Sequence, residues 1–167
     1  QMVPEHFLVY VSSGEYILEE GDKRTVISPG ECVFVRRDNR VNMIKQPKKD
    51  EPFRGIFLTF KRNFLREVFQ AVSRKDLPEN PQRQSHSVVK LPPTPDIKGL
   101  FDSLLPYFDS PVEPSAEIMK LKLMEGVYAL LRIDERFFPT LFDFNEPWKI
   151  DILDFMNEKY MDDLSIE

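Results

Sequence analysis

The sequence predicts an α+β chain, with a β-sandwich or small barrel first and helices after it. Three observations carry this. Short runs rich in β-branched and aromatic residues recur through the first sixty positions, punctuated by Gly, Pro, Asn and Asp. Beyond Phe60 the apolar spacing changes from about two residues to between three and four. Short strands followed by a block of helices fit a sheet structure covered by a helical layer.

His6-Phe-Leu-Val-Tyr-Val11 and Glu15-Tyr-Ile-Leu-Glu-Glu20 read as strands separated by Ser12-Ser13-Gly14. Gly21-Asp22 carries the residue types of a tight hairpin. Arg24 to Ile27 leads into Ser28-Pro29-Gly30, where Pro presets φ and Gly supplies the positive φ of the next corner. Cys32 to Val35, Val41 to Ile44 and Phe53 to Phe60 complete the set, with Arg37-Asp38-Asn39-Arg40 and the charged stretch Gln46 to Pro52 as turns. Apolar residues fall at both parities in His6 to Val11, so that strand is expected to be buried on both faces. Alternation does not say which parity faces the interior.

Asn63 to Val72 places Phe64, Leu65, Val68, Phe69 and Val72 on one helical face. Ser73 to Pro95 is polar and Pro-rich, with only Val88 to Leu91 strand-like. Thr94-Pro95 starts a helix whose Ile97, Leu100, Phe101, Leu104, Leu105 and Phe108 keep helical spacing, with Pro106 placed to end or kink it. Ser115 begins another, about four turns long, whose apolar positions are Ile118, Leu121, Met124, Val127, Tyr128 and Leu131. Leu123 and Leu130 widen that stripe beyond one packing surface, so a second face needs a partner, either the sheet or another copy of the chain. Gly126 costs this helix on the order of 1 kcal/mol against Ala and would permit a close approach. Pro147 opens a further helix striped by Trp148, Ile152, Phe155, Met156 and Tyr160, and Ser165 caps the start of another.

At 167 residues and 41% hydrophobic, the chain suits one core with helical appendages. It lacks a bilayer-spanning run and a signal-peptide pattern, so a soluble, cytoplasmic protein with no membrane role is expected. The single Cys32 lies in an apolar run and reads as a small buried side chain. Net charge is −5, divided unequally: residues 1–75 carry 14 Lys and Arg against 10 Asp and Glu, and residues 76–167 carry 9 against 18. An acidic helical half is a poor surface for nucleic acid, which binds clustered cations.

Three regions resemble a known family. The pair Gly14-Glu-Tyr-Ile-Leu and Ile27-Ser-Pro-Gly-Glu-Cys-Val-Phe-Val35 is similar to the cupin-like sensor barrel that heads many AraC/XylS-type transcription regulators. The segment Ile152-Leu-Asp-Phe-Met-Asn-Glu-Lys-Tyr-Met-Asp-Asp-Leu-Ser-Ile-Glu167 resembles the start of that family's DNA-binding domain. Lys120-Leu-Lys-Leu-Met-Glu-Gly-Val-Tyr-Ala-Leu-Leu-Arg132 resembles the helix that carries the dimer contact in many members, with Gly126 departing from the usual large apolar residue.

The resemblance implies a cupin-like sensor over residues 1–95, a helical dimerisation region over 96–146, and a linker with the first helix of a truncated DNA-binding domain over 147–167. It implies a homodimer through the 115–132 helix, at Leu121, Met124, Val127, Tyr128 and Leu131, with either Leu121→Asp or Val127→Asp separating the copies and leaving the fold intact. A small-molecule effector or a regulatory protein would act on the sensor, and DNA would be read only by the missing C-terminal part. Two-fold pairing matches two half-sites. Inward-facing Tyr10, Tyr16, Phe34 and Met43 are the candidate effector contacts. Arg36, in a basic rim with Arg37, Arg40, Lys45, Lys48 and Lys49, is a candidate for an anionic group, although a charged rim also serves to prevent edge pairing. The alternative is a small cupin binding protein or enzyme without a DNA role.

Catalysis has little behind it. Metal-dependent cupins gather several His and a carboxylate on one face, whereas this chain has only His6 and His86, eighty residues apart. Where a metal-binding His would follow the Pro-Gly turn, the sequence reads Phe34-Val-Arg-Arg-Asp-Asn-Arg-Val41. Gly-x-Ser-x-Gly and phosphate-binding Gly loops are missing too. The expectation is a non-enzyme with no metal and no cofactor.

Overall fold

A computed structural model describes residues 1–72 and 86–144. The predicted 147–160 helix, the Ser165 cap and most of the Pro-rich stretch lie outside these residues.

Two antiparallel sheets face each other. Strands β1 (His6–Ser13), β4 (Cys32–Val35), β6 (Arg54–Phe60) and β7 (Val88–Lys90) form one, in the order β6-β1-β4-β7. Strands β2 (Glu15–Glu20), β3 (Lys23–Ile27) and β5 (Asn42–Gln46) form the other, in the order β3-β2-β5. Among the described residues the two ladders share no strand pair, so the fold is a cupin-like sandwich rather than a closed barrel. Gly14 passes the chain from one sheet to the other at φ +70°, and a Cβ there would sit 2.6 Å from the Phe53 Cα. Only glycine fits that crossing.

Strand β1 is buried on both faces, as its double apolar parity predicts. Val9 and Val11 join Tyr16, Leu18, Ile27, Val33, Val35 and Val41 in the core between the sheets. Leu8 joins Phe34, Leu58 and Phe60 on the opposite face, under the helices. That helical layer comprises α1 (Arg62–Ala71), α2 (Pro95–Asp102), α3 (Ala116–Ile133) and α4 (Phe137–Leu141). Sheet and helices on this side share one apolar cluster. Residues on either side of position 95 therefore meet in a common core.

The caps act where expected. Thr94 Oγ1 accepts from the Ile97 N–H at 3.2 Å and Ser115 Oγ from the Ile118 N–H at 3.1 Å. The helical spacing that runs from Ile97 to Phe108 does not stay one helix: α2 ends at Asp102, and Leu105–Asp109 forms a separate 3-10 turn with Pro106 in its first turn. Proline has no N–H to continue an α-helical ladder and is tolerated only at a helix start. The short α4 was not predicted, since five residues containing Pro139 show no full period. Tertiary packing supports it instead: Phe137 is wholly buried and meets the Phe34 ring edge-on at 5.0 Å.

Gly126 does permit a close approach. A Cβ there would lie 3.1 Å from Phe60 Cζ, so α3 crosses β6 at this residue. The neighbouring Val127 is 0% exposed, which corrects the expectation that Val127→Asp would leave the fold intact. Val127 holds α3 to the sheet.

Candidate functional site

The alternation of the two inner faces builds a cavity of about 410 Å³ between β1 and β6 of one sheet and β2 and β5 of the other. Tyr16 on β2 pairs with Lys45 on β5, and Phe7 on β1 pairs with Thr59 on β6. With Met43 and Phe57 these residues wall the cavity, and Pro4 and Glu5 of the N-terminal segment close one side. The rings are arranged around Tyr16: Phe53 lies 5.7 Å away and Phe57 stands edge-on at 5.6 Å. Lys45 Nζ sits 4.8 Å from the Phe57 centroid and 5.8 Å from that of Phe53. A cation over aromatic faces gains roughly 0.5–1 kcal/mol at an exposed site. Burial pushes the Tyr16 phenol up to about 12, which keeps it a neutral hydrogen-bond donor.

A second cavity, of about 390 Å³, opens on the helical side between the Pro29-Gly30 turn and α2. Tyr10 stacks on Phe101 at 5.0 Å and 12° along its wall. Burial, then the nearby Asp102, raises the Tyr10 phenol. Burial also pushes the Cys32 thiol up to about 12, leaving it inert as a nucleophile.

The residues expected to meet an effector are thus divided. Tyr16 and Met43 line the inter-sheet cavity, whereas Tyr10 lines the helical-side one. Phe34 lines neither of these two; it is fully buried between His6 and Phe137. Its parity places it under α4, which corrects the expectation of an effector contact. Arg36 also lies away from both cavities, with its N–H donating to the Ser87 carbonyl at 2.7 Å and its guanidinium reaching Asn39. Of the cavity residues that sequence reasoning passed over, Phe7 and Phe57 share the parity of Tyr16's face, a signal readable only once one inward residue is known.

Behind Phe34 lies a buried polar knot. The Arg37 N–H donates to His6 Nδ1 at 3.0 Å, and Arg37 Nη2 donates to the Asp143 carbonyl just beyond α4. Burial, followed by the Arg37 charge, lowers the His6 imidazole well below its usual range. Among the described residues its Nε2 has no hydrogen-bond partner of good geometry, though the Thr140 backbone lies close enough to favour the protonated ring.

On α3, the expected dimer residues also separate. Leu121 is 59% and Tyr128 46% exposed, beside exposed Ile118. Met124 and Leu131 are half-buried against the helical-side core, and Val127 is inside it.

Among the described residues no group of three His, Cys, Asp or Glu side chains is placed to hold a metal, and no helix is long and apolar enough to cross a membrane.

A helix-covered sandwich of this kind also forms part of ToxT from Vibrio cholerae. The apo ToxT structure superposes with a TM-score of 0.55 at 11% identity, over 78% of this chain and 49% of that one. ToxT bound to an unsaturated fatty acid gives 0.52 at 11% identity, over 78% and 48%. ToxT bound to (E)-4-(8-methylnaphthalen-1-yl)but-3-enoic acid gives 0.53 at 11% identity, over 78% and 49%. The chain therefore spans about half the length of these structures. Curated proteins gave no match in sequence. The family assignment makes this the regulatory, N-terminal domain of an AraC-type transcription regulator. Residues 6–136 match the ExsA N-terminal regulatory domain, and the chain belongs to that family.

Proposed function

We propose that the inter-sheet cavity receives a small-molecule effector with an apolar body and an anionic group, and that its occupancy controls transcription. One observation carries this reading: an aromatic cavity walled by Phe7, Tyr16 and Phe57 has a lysine over its rings, with no carboxylate partner for Lys45 among the described residues. The two ToxT ligands, each an apolar carboxylic acid, have the same division of chemistry. The role is regulatory rather than catalytic and belongs in the cytoplasm, where DNA is. DNA is bound by a C-terminal portion of the full regulator, because the second half of this chain is acidic. Two copies pair through the exposed face of α3 at Leu121 and Tyr128, which are large, exposed side chains.

Titrating the domain with oleic acid, followed by the methyl resonance of Met43, tests the site. Saturable shifts at Met43, weakened about tenfold by Lys45→Ala, are expected for loss of a charge-assisted contact. Oleate that binds the variant equally well, or leaves Met43 unmoved, would refute this assignment.

A further inference from the structure

The cavity's other charged wall is Glu5, and it stands at the head of a chain of ion pairs. Glu5 Oε1 receives Arg62 Nη1 at 2.9 Å, and the same nitrogen donates to the Pro4 carbonyl at 2.8 Å. Arg62 Nη2 reaches Asp38 Oδ1 at 3.5 Å, and Asp38 Oδ2 lies 3.7 Å from Arg37 Nε. Arg37, almost wholly buried, then holds the Asp143 carbonyl. Backbone bonds tie the same route together: Val3 donates to Asn39 at 2.9 Å and Asp38 donates to Val3 at 2.8 Å. Charged contacts therefore run from the cavity wall, past the start of α1 and the β4–β5 turn, to the residue that follows α4.

Glu5 is only half engaged in this chain. Its Oε2 is buried and has no hydrogen-bond partner among the described residues. A buried carboxylate oxygen left unpaired is costly, and a donor that reaches it recovers that cost. The terminal torsion of a glutamate is broad, so the carboxylate can turn toward the cavity that its own side chain helps to wall.

We propose that Glu5 reads a hydrogen-bond donor on the effector, an ammonium above all, and transmits its presence by exchanging its carboxylate from Arg62 to the ligand. This rests on the inter-sheet cavity being the effector site and adds a second polar requirement to it. An anionic group at Lys45 leaves Glu5 unsatisfied; a donor satisfies it. Once Glu5 turns, Arg62 loses one of its two carboxylate contacts while keeping Asp38 and the Pro4 carbonyl. The redistribution passes through Asp38 to Arg37 and the Asp143 carbonyl.

Octylamine and octanoate, which share one apolar body and differ in the head group, test this on the whole chain. Three reporters are followed by NMR: the Met43 methyl for occupancy, the Arg62 side-chain Nε–H for exchange, and the Asp143 amide for transmission. Octylamine is expected to shift all three, and Glu5→Gln to weaken it about tenfold, whereas octanoate, relieved of a second carboxylate in the cavity, should bind at least as well. Arg62→Lys, which keeps the charge but cannot fork between two carboxylates, is expected to tighten octylamine by freeing Glu5. It serves as the second test should Glu5→Gln fail to fold.

Octylamine binding that survives Glu5→Gln undiminished overturns the proposal. So does octylamine binding that never moves the Arg62 resonance, or an Arg62→Lys variant that binds the amine no tighter. Octanoate moving Met43 when octylamine does not sinks the role of Glu5 and leaves the cavity assignment standing. If neither compound moves Met43, both are wrong.

Discussion

Val127 and Leu121 lie six residues apart on α3, share its apolar pattern, and should respond oppositely to the same substitution. Val127 is 0% exposed and Leu121 59%. Replacing Val127 by Asp removes about 2 kcal/mol of apolar burial. It also places a carboxylate in the core cluster that Val127 shares with Phe60 and Leu100. The carboxylate must either stay charged without a partner or take up a proton, at a further ~3 kcal/mol. The sum, about 5 kcal/mol, equals the whole stability of a marginal domain. Leu121→Asp touches no core contact and should change stability by less than about 0.5 kcal/mol. Urea unfolding read by circular dichroism measures the first effect, and sedimentation velocity on both variants measures association. Val127→Asp should be unfolded or strongly destabilised; Leu121→Asp should be fully folded but monomeric. A folded Val127→Asp variant with wild-type stability would refute the packing of α3 on the sheet. A Leu121→Asp protein that sediments as the wild type would place the dimer contact elsewhere.

Three further outcomes follow from the same contacts. Cys32, buried and with its thiol raised to about 12, should resist iodoacetamide near pH 8 in the native domain and label fully in urea; rapid native labelling would mean that the cavity beside Tyr10 opens widely. Because the folded-state pKa of His6 is depressed, the unfolded chain binds the extra proton first as pH falls. Stability should therefore decline below the unfolded value of about 6.5, by up to ~1.4 kcal/mol per pH unit, and His6→Asn should flatten that slope in urea titrations across pH. Gly14→Ala must adopt φ +70° with its Cβ 2.6 Å from Phe53 Cα, so a loss of at least ~2 kcal/mol is expected; an unfolding midpoint equal to wild type would contradict the crossing between sheets.

Much of the fold was legible because it rests on local chemistry. The Thr94 and Ser115 caps, the Gly14 crossing and the Pro29-Gly30 turn each depend on residues close together in the chain. The site was legible only in part. Tyr16 and Met43 share a cavity wall, but Phe34, equally aromatic and equally strand-borne, faces α4. Nothing in a strand apolar at every position distinguishes its two sides. Likewise, α4 escaped notice because it depends on the contact between Phe137 and Phe34, about a hundred residues apart in sequence.

By itself, the amino-acid sequence determined the order of elements, their turns and caps, and the resemblance that placed the chain among transcription regulators. These are properties of short segments, whose hydrogen bonds and periodicity are complete within a few residues. The tertiary structure alone decided which parity of each strand lines a cavity, that Val127 is core while Leu121 is surface, and that Glu5 connects through Arg62, Asp38 and Arg37 to Asp143. Each of those depends on packing between segments distant in the chain. A side chain's environment is set by what closes over it, and local pattern does not record that.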